Sequence, residues 1–307
     1  MIKLKAFKKN EKIAIAICTK NRYSYLAILL ASLLVQTYRN WTLVINDSSD
    51  RPIEADEVLK ELFQLIKKEG HAVKIIHTDS GWDRHQRTME AVPPSVEFIV
   101  RIDDDIMLTP DFLENILKPY RLLEKHSIAA VGGCYPETYM KPSNLDTALK
   151  SRFYVPRITD PKWLTKGSFL QGHYYMRRCI LGAENLLGHA ICYRHSVAKV
   201  IGGWAVKGYS TQAHREESDF CIRAIAAGFE LFITTEAVAW HLYASGGGSR
   251  TVFKTGGEEG VVLISPREEL TGDNELFKAR LKAILPEGFS QRKLNLYLVE
   301  KLEKKIH

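Results

Sequence analysis

Short apolar runs separated by longer amphipathic stretches set the rhythm of the first 125 residues. Residues 13–18 (IAIAIC) are apolar throughout, the pattern of a strand buried on both faces of a parallel sheet. From about Tyr23 to Gln36, Leu26, Leu29, Leu30, Leu33 and Leu34 recur at the spacing of one helical face. Trp41–Ile45 predicts a second strand, ending at Asn46-Asp47-Ser48-Ser49-Asp50, and a helix over Ala55–Lys68 stops at Gly70. Val73–His77 and Glu97–Ile102 predict the third and fourth strands, with a short helix over Arg84–Ala91 between them. A helix follows from Pro110 to about Lys125, with Thr109 as its N-cap and Pro110 at its first position. Strand and helix thus alternate, which predicts right-handed βαβ units and an α/β fold with a mainly parallel central sheet flanked by helices.

After a further strand near Ile128–Gly132 the alternation fails. Residues 135–182 are rich in Pro, Tyr, Arg and Lys and carry no clear period, as functional loops do. Ala190–Tyr193 reads as a strand, Ser196–Ile201 as a short helix closed by Gly202-Gly203, and Glu216–Ala227 as a helix ending at Gly228. Two short strands, Glu230–Thr234 and Ala237–Trp240, lead to His241. Two glycine-rich stretches, Gly246–Arg250 and Gly256–Gly260, have the composition of a lid. From about Asp273 the chain reads as two helices broken at Pro286. The expected organisation is one domain over 1–272, in two parts (1–132 and 133–272), plus a helical extension over 273–307.

In parallel α/β sheets, ligands bind beyond the carboxyl ends of the strands. Three polar clusters fall at such ends: Thr19–Arg22, Asn46–Asp50 and Asp103-Asp104-Asp105. The last closes the apolar run Phe98–Ile102 with three consecutive carboxylates, which repel one another unless a cation neutralises them. Alternate carboxylates such as Asp103 and Asp105 suit Mg²⁺ or Mn²⁺ with coordination positions left open for phosphate oxygens. The competing role is that of turn and capping residues. His241 ends an apolar strand, and its imidazole would supply the third ligand that the two aspartates lack. Asp47 is placed to accept from a nucleobase N–H or a ribose hydroxyl, or to serve its own turn. Arg84 and Arg87 lie on the helix before the acidic strand, where either meets a phosphate or pairs with a surface carboxylate. Glu216, Glu217 and Asp219 open a helix, where an anion suited to act as a base is stabilised.

Composition narrows the field without naming a reaction. The chain has 45% hydrophobic and 26% charged residues, neither disordered nor fibrous in character, and a net charge of +7. That excess favours phosphorylated ligands or an anionic membrane surface, and equally fits a solvated basic surface. Five scattered cysteines with no CxxC pair argue against a zinc or disulfide framework. With no 18-residue apolar run and no signal-peptide pattern, the expectation is a cytoplasmic protein, peripheral to a membrane at most. The Leu/Lys alternation of Arg292–Lys305 predicts a C-terminal helix able to dock on a membrane, on a second copy or on its own domain.

Taken together, ICTKNR, SLLVQTYRNWTLVINDSSD, RIDDDIMLTPDFL, REESDFCIRAIAAGF and AVAWH, in that order, resemble the family 2 glycosyltransferases of GT-A fold. The resemblance runs from about Ile13 to His241. It implies a Rossmann-like GT-A sheet, a nucleotide-sugar donor (commonly UDP-linked), Mn²⁺ or Mg²⁺, and an inverting transfer to a glycan, lipid-linked or other hydroxyl acceptor. Carried over, Thr19, Asn21, Arg22 and Asp47 line the nucleoside pocket, and Arg87 and Asp103-Asp104-Asp105 meet the diphosphate. Asp105, with Asp103 and His241, holds the metal. The family's Glu-Asp pair is here Glu216-Glu217, which makes Glu217 the expected base and keeps Glu216 and Asp219 as candidates. The resemblance makes 1–132 the expected nucleotide-binding half and 133–272 the expected acceptor-binding, catalytic half, in which His173, Tyr174, Arg177, Arg178 and His189 are either acceptor contacts or plain surface-loop residues.

Rival classes fit less well. A nucleotidyltransferase would carry a glycine-rich phosphate loop where this chain has Thr19-Lys20-Asn21-Arg22, and no GxGxxG follows the first strand as a dehydrogenase requires. No nucleic-acid partner is indicated. An inactive scaffold or lectin-like protein of the same fold is the non-enzyme alternative.

Overall fold

The structure is a computed structural model and describes residues 4–79, 81, 83–134, 178–186, 189–204, 207–210, 215–242, 244, 253–254, 261–262, 267–284 and 295–304. The first part of the chain contains β1 (Ile13–Thr19), α1 (Tyr23–Leu34), β2 (Trp41–Asp47), α2 (Glu57–Lys68), β3 (Val73–His77), α3 (Arg84–Ala91) and β4 (Phe98–Asp103). A short β5 (Ile106–Leu108), α4 (Phe112–Leu122) and β6 (Ile128–Cys134) follow. Beyond them lie β7 (Cys179–Ala183), β8 (Ala190–Arg194), α5 (His195–Val200), α6 (Glu216–Ala226) and β9 (Glu230–His241). The remaining elements are the small pair β10 (Phe253–Lys254) and β11 (Val261–Val262), then α7 (Arg267–Ile284), β12 (Leu296–Leu298) and α8 (Val299–Glu303).

The main sheet has the order β12-β7-β9-β6-β8-β4-β1-β2-β3. Among the described strands, following the pairings outward from β1, β8, β7 and the off-path β5, which pairs with β9, run against the rest, so the sheet is mainly parallel as expected. The Ile/Ala alternation of β1 sorts its two faces. Ile13, Ile15 and Ile17 pack with Leu26, Leu29, Leu30 and Leu33 of α1, Phe63 of α2 and Ile116 of α4. Ala14 and Ala16 face Met89 of α3, Val197 of α5, and Phe220 and Ile222 of α6. The four α1 leucines have no exposed surface, and each contributes about 1.5–3 kcal/mol by burial. Asp56 caps α2 by accepting from Leu59 N at 3.0 Å, and Gly70 closes it with φ +88°.

Three expectations change. Thr109 does not cap α4: its hydroxyl donates to Val238 O at 2.9 Å, and Asp111 takes the N-cap position. The reason lies in Ile106-Met107-Leu108, which alternates buried, exposed, buried and pairs antiparallel with Ala239–His241. The aspartates therefore turn tightly from strand to strand, not from strand to helix. The two short strands before His241 are one, Glu230–His241, whose register on β6 shifts between Gly132 and Cys134. Gly133 sits in that irregularity, where a Cβ would lie 2.9 Å from Ala237 O and 3.0 Å from the Phe112 ring.

The helix expected over Arg292–Lys305 is interrupted by a strand within its described residues, 295–304. Leu296–Leu298 is a strand paired antiparallel with β7, and only Val299–Glu303 is helical, with Val299 fully buried. This stretch completes an edge of the chain's own sheet. The glycine-rich stretches 246–250 and 256–260, and all of 135–177, lie outside the described residues. Among the described residues no helix is long and apolar enough to cross a membrane.

Candidate active site

Parallel register brings the strand ends together. Thr19 is level with Asp47 on one side, and Cys18 with Asp103 on the other. The three polar clusters seen in the sequence therefore share one rim of the sheet. Asn21 adopts φ +55°, donates from its backbone N to Ser49 Oγ at 2.8 Å and from Nδ2 to Asp50 Oδ2 at 2.8 Å. These bonds tie the β1 loop to the β2 loop.

The three aspartates face different partners. Asp104 turns inward, accepting from Thr19 Oγ1 and from Arg22 Nη1, each at 2.8 Å. Burial and the neighbouring Asp105 charge push its carboxyl up to about 6, against the pull of Arg22 and Thr19. Asp105 lies 3.3 Å from His241 Nε2 and 3.2 Å from Arg22 Nη1, and accepts from Ala244 N at 3.2 Å. Burial opposes its ionisation, but His241, Arg22 and the Ala244 N–H outweigh it and hold the carboxyl at about 2. Asp103 lies 3.2 Å from His189 Nδ1 and 3.7 Å from Arg101 Nη2. Here too burial is overcome, by His189 and Arg101, and the carboxyl sits at about 2. The His189 and His241 rings stack, with centroids 4.3 Å apart.

The expected metal residues Asp103, Asp105 and His241 thus supply two carboxylates and an imidazole, the donor types of a Mn²⁺ or Mg²⁺ site. They stand as two aspartate–histidine pairs rather than one closed shell. Among the described residues, the three-residue cluster tight enough to chelate an ion is a different one, Asp47, Glu54 and His77. In that cluster Asp47 accepts from Ser49 N at 2.9 Å and Ile53 N at 3.0 Å, which holds the β2 loop over the strand end.

The acids at the start of α6 are drawn to the same rim by a residue that the motif reading passed over. Arg101, on β4 two residues before Asp103 and only 3% exposed, donates from Nη2 to Glu216 Oε1 at 3.0 Å and to Glu217 Oε1 at 2.8 Å. Its guanidinium carbon lies 4.9 Å from the centre of the Trp204 ring, which stacks on Phe220. Burial works against the Arg101 charge, but Glu216 and Glu217 outweigh it and raise its pKa further. Glu216 is also approached by His85 Nε2 at 3.1 Å and Arg84 Nη2 at 3.4 Å. Burial raises its pKa, partly offset by Arg84 and Arg101. Burial, then Arg101 and Arg84, hold His85 well below the usual histidine range, so it meets Glu216 as a neutral donor. The Glu216 side chain is 3% exposed and that of Glu217 20%.

Two candidates are placed elsewhere. Asp219, with no exposed surface, is bound by Arg280 of α7 and Arg223 of its own helix, so it faces away from the rim. Arg87 is paired with Asp83 at 2.8 Å, with a side chain 41% exposed, and does not reach the acid cluster; Arg84, one turn earlier, does. Of the expected acceptor contacts, Arg178 pairs with Glu236 and Glu303, His189 sits on Asp103, and His173, Tyr174 and Arg177 lie outside the described residues. Arg101 did leave a signal. It is the one charge inside the apolar run FIVRI, and a buried strand arginine requires a carboxylate partner.

This sheet, with its acid turn after β4 and its helix-borne acid pair, has the architecture of the GT-A glycosyltransferases. Solved structures of similar fold include S. aureus TarS residues 1–349 in complex with UDP-GlcNAc, at TM-score 0.56 and 15% identity, covering 91% of this chain and 69% of that one. Full TarS aligns at TM-score 0.54 and 14% identity, over 91% of this chain and 41% of TarS. The Pyrobaculum calidifontis mannosyltransferase PcManGT, in complex with GDP-Man and Mn²⁺, aligns at TM-score 0.52 and 13% identity, over 76% and 57%. This chain therefore spans less than half of full TarS and rather more than half of the mannosyltransferase. No curated protein sequence matches it. Residues 14–181, more than half of the chain, match the family described as glycosyl transferase family 2. The chain belongs to that family.

Proposed function

We propose that this protein is a glycosyltransferase that moves a sugar from a UDP-linked donor to an acceptor hydroxyl with inversion at C1, using Glu217 as the base. The observation that carries the reading is that β4 bears both the acid turn and Arg101, so Asp103 and Glu217 meet the same guanidinium. Thr19, Asn21, Arg22 and Asp47 border the nucleoside end of the rim, and the acid turn the diphosphate end. Asp105 and His241, with Asp103 brought in, would hold a divalent cation, which when bound neutralises the diphosphate as it leaves.

Glu217 is the more accessible acid of the pair and takes the acceptor proton; Glu216, buried against Arg84, His85 and Arg101, remains a counter-charge. The acceptor oxygen forms a bond to C1 while the C1–O bond to the diphosphate breaks on the opposite face, which inverts the centre. UDP-GlcNAc bound to TarS supports uridine as the nucleotide, and the Mn²⁺ complex of PcManGT supports the metal. The acceptor is a glycan, a lipid-linked sugar or another hydroxyl compound. A donor screen reading released nucleoside diphosphate tests the reading: one UDP-sugar should be turned over, and the Glu217→Gln variant should not turn it over. Release from no nucleotide sugar, or undiminished release by that variant, overturns it.

A further inference from the structure

We infer that Arg101 is a positioning residue that sorts the two consecutive acids into a buried counter-ion, Glu216, and a working base, Glu217. The inference rests on the reading of Glu217 as the base and says what makes that base usable. Consecutive helical residues point about 100° apart, so one nitrogen reaches both only from the mouth of the helix. Arg101 Nη2 is placed there, 3.0 Å from Glu216 and 2.8 Å from Glu217.

The sharing is unequal. A guanidinium paired with Glu217 alone would cancel the charge of the base. Here Glu216, 3% exposed, also takes that charge, so Glu217 is held in place by a cation already partly compensated. Arg84 and His85 approach Glu216 and not Glu217, which fixes the order of the pair. The Trp204 ring closes one face of the guanidinium, and Phe220 of α6 backs Trp204 at 4.3 Å. Lysine offers no flat face for the Trp204 ring to cover.

Position on the strand adds a second consequence. Residues two apart on a strand share a face, so Arg101 and Asp103 project together from β4, 3.7 Å apart at their nearest charged atoms. The donor-side acid and the grip on the base are therefore set by one rigid element. A helix-borne carboxylate without that grip has its rotamers open, and a misplacement of about 1 Å can cost on the order of 10²-fold in rate.

The test uses Arg101→Ala, Arg101→Lys and the double variant Arg101→Gln/Glu216→Gln, assayed with the donor found by the screen. We expect Arg101→Ala to lower kcat by about 10²-fold with the donor KM little changed, and added guanidinium to restore part of kcat. Guanidinium should do nothing for Glu217→Gln, and Arg101→Lys should recover kcat only in part. Should Arg101→Ala fail to fold, the double variant, which removes both buried charges together, is expected to fold and still lose kcat. A wild-type kcat in Arg101→Ala or in the double variant, with Glu217→Gln inactive, overturns the inference alone. An active Glu217→Gln overturns the reading beneath it.

Discussion

Arg280 of α7 grips Asp219 of α6 with two parallel bonds, Nε to Oδ1 at 2.8 Å and Nη2 to Oδ2 at 2.9 Å. Asp219 is fully buried, and two further links, Ser210 to Asp273 and Arg215 to Asn274, bind the segment ahead of α6 to the same helix. The C-terminal helix thus braces the helix that carries the acid pair. Arg280→Ala leaves Asp219 with Arg223 at 3.2 Å as its remaining cation and should cost about 2–4 kcal/mol in urea unfolding. Asp219→Asn combined with Arg280→Met should recover most of that loss, and the folded double variant should keep transfer activity. If it is folded but inactive, Asp219 does more than brace.

The acid pair separates by readout. Glu217→Gln should lower kcat by roughly 10²–10⁴-fold and lower the melting temperature less than Glu216→Gln does, since its side chain is 20% exposed against 3%. Glu216→Gln removes a buried carboxylate from three basic neighbours and should act on stability first. The converse pattern, stability lost with Glu217 and rate with Glu216, would exchange the two roles.

Much of this was legible in the sequence because the first half obeys its own periodicities. Val73–His77 and Arg84–Ala91 lie where the pattern places them, and the three strand-end clusters converge because parallel register leaves them no alternative. What the pattern concealed was tertiary. Three residues, Ile106–Leu108, are too short a run to announce a strand, yet they displaced Thr109 from its cap. Leu296–Leu298 carries helix-compatible spacing that the open edge of β7 overrides. Arg101 was visible only as a charge out of place, because its partners lie more than a hundred residues away.

Asp104 and Asp105, adjacent in sequence, should titrate with opposite effect. Asp104, pushed up to about 6 by burial and by Asp105, holds its proton more tightly folded than unfolded, so its contribution to stability falls as pH rises from about 4 to about 6. Burial opposes the charges of Asp105 and Asp103, but their histidine and arginine partners hold both near 2, so their contribution is present above about 4 and lost as pH falls from about 4 to about 2. In chelator-treated protein, the stability of wild type relative to Asp104→Asn should therefore fall as pH rises from about 4 to about 6 and level off near 7. A difference that stays constant over that range contradicts the burial argument for Asp104.

A divalent cation would make the sharpest demand on the site, because its expected ligands stand in pairs: Asp105 with His241 at 3.3 Å, and Asp103 with His189 at 3.2 Å. Bringing Asp103 into one shell with the first pair means loosening it from His189, a cost that the donor diphosphate can offset by supplying its own oxygens. Cation affinity should accordingly be weak for the protein alone and stronger with UDP present. Electron paramagnetic resonance of added Mn²⁺ measures this directly, without relying on turnover. His241→Ala should weaken binding at least about 10-fold, and Asp105→Ala should do at least as much. EDTA should abolish transfer, and added Mn²⁺ should restore it. Binding that survives loss of Asp105 but not of Glu54 or His77 would move the cation to the Asp47 cluster and leave the acid turn to the diphosphate alone.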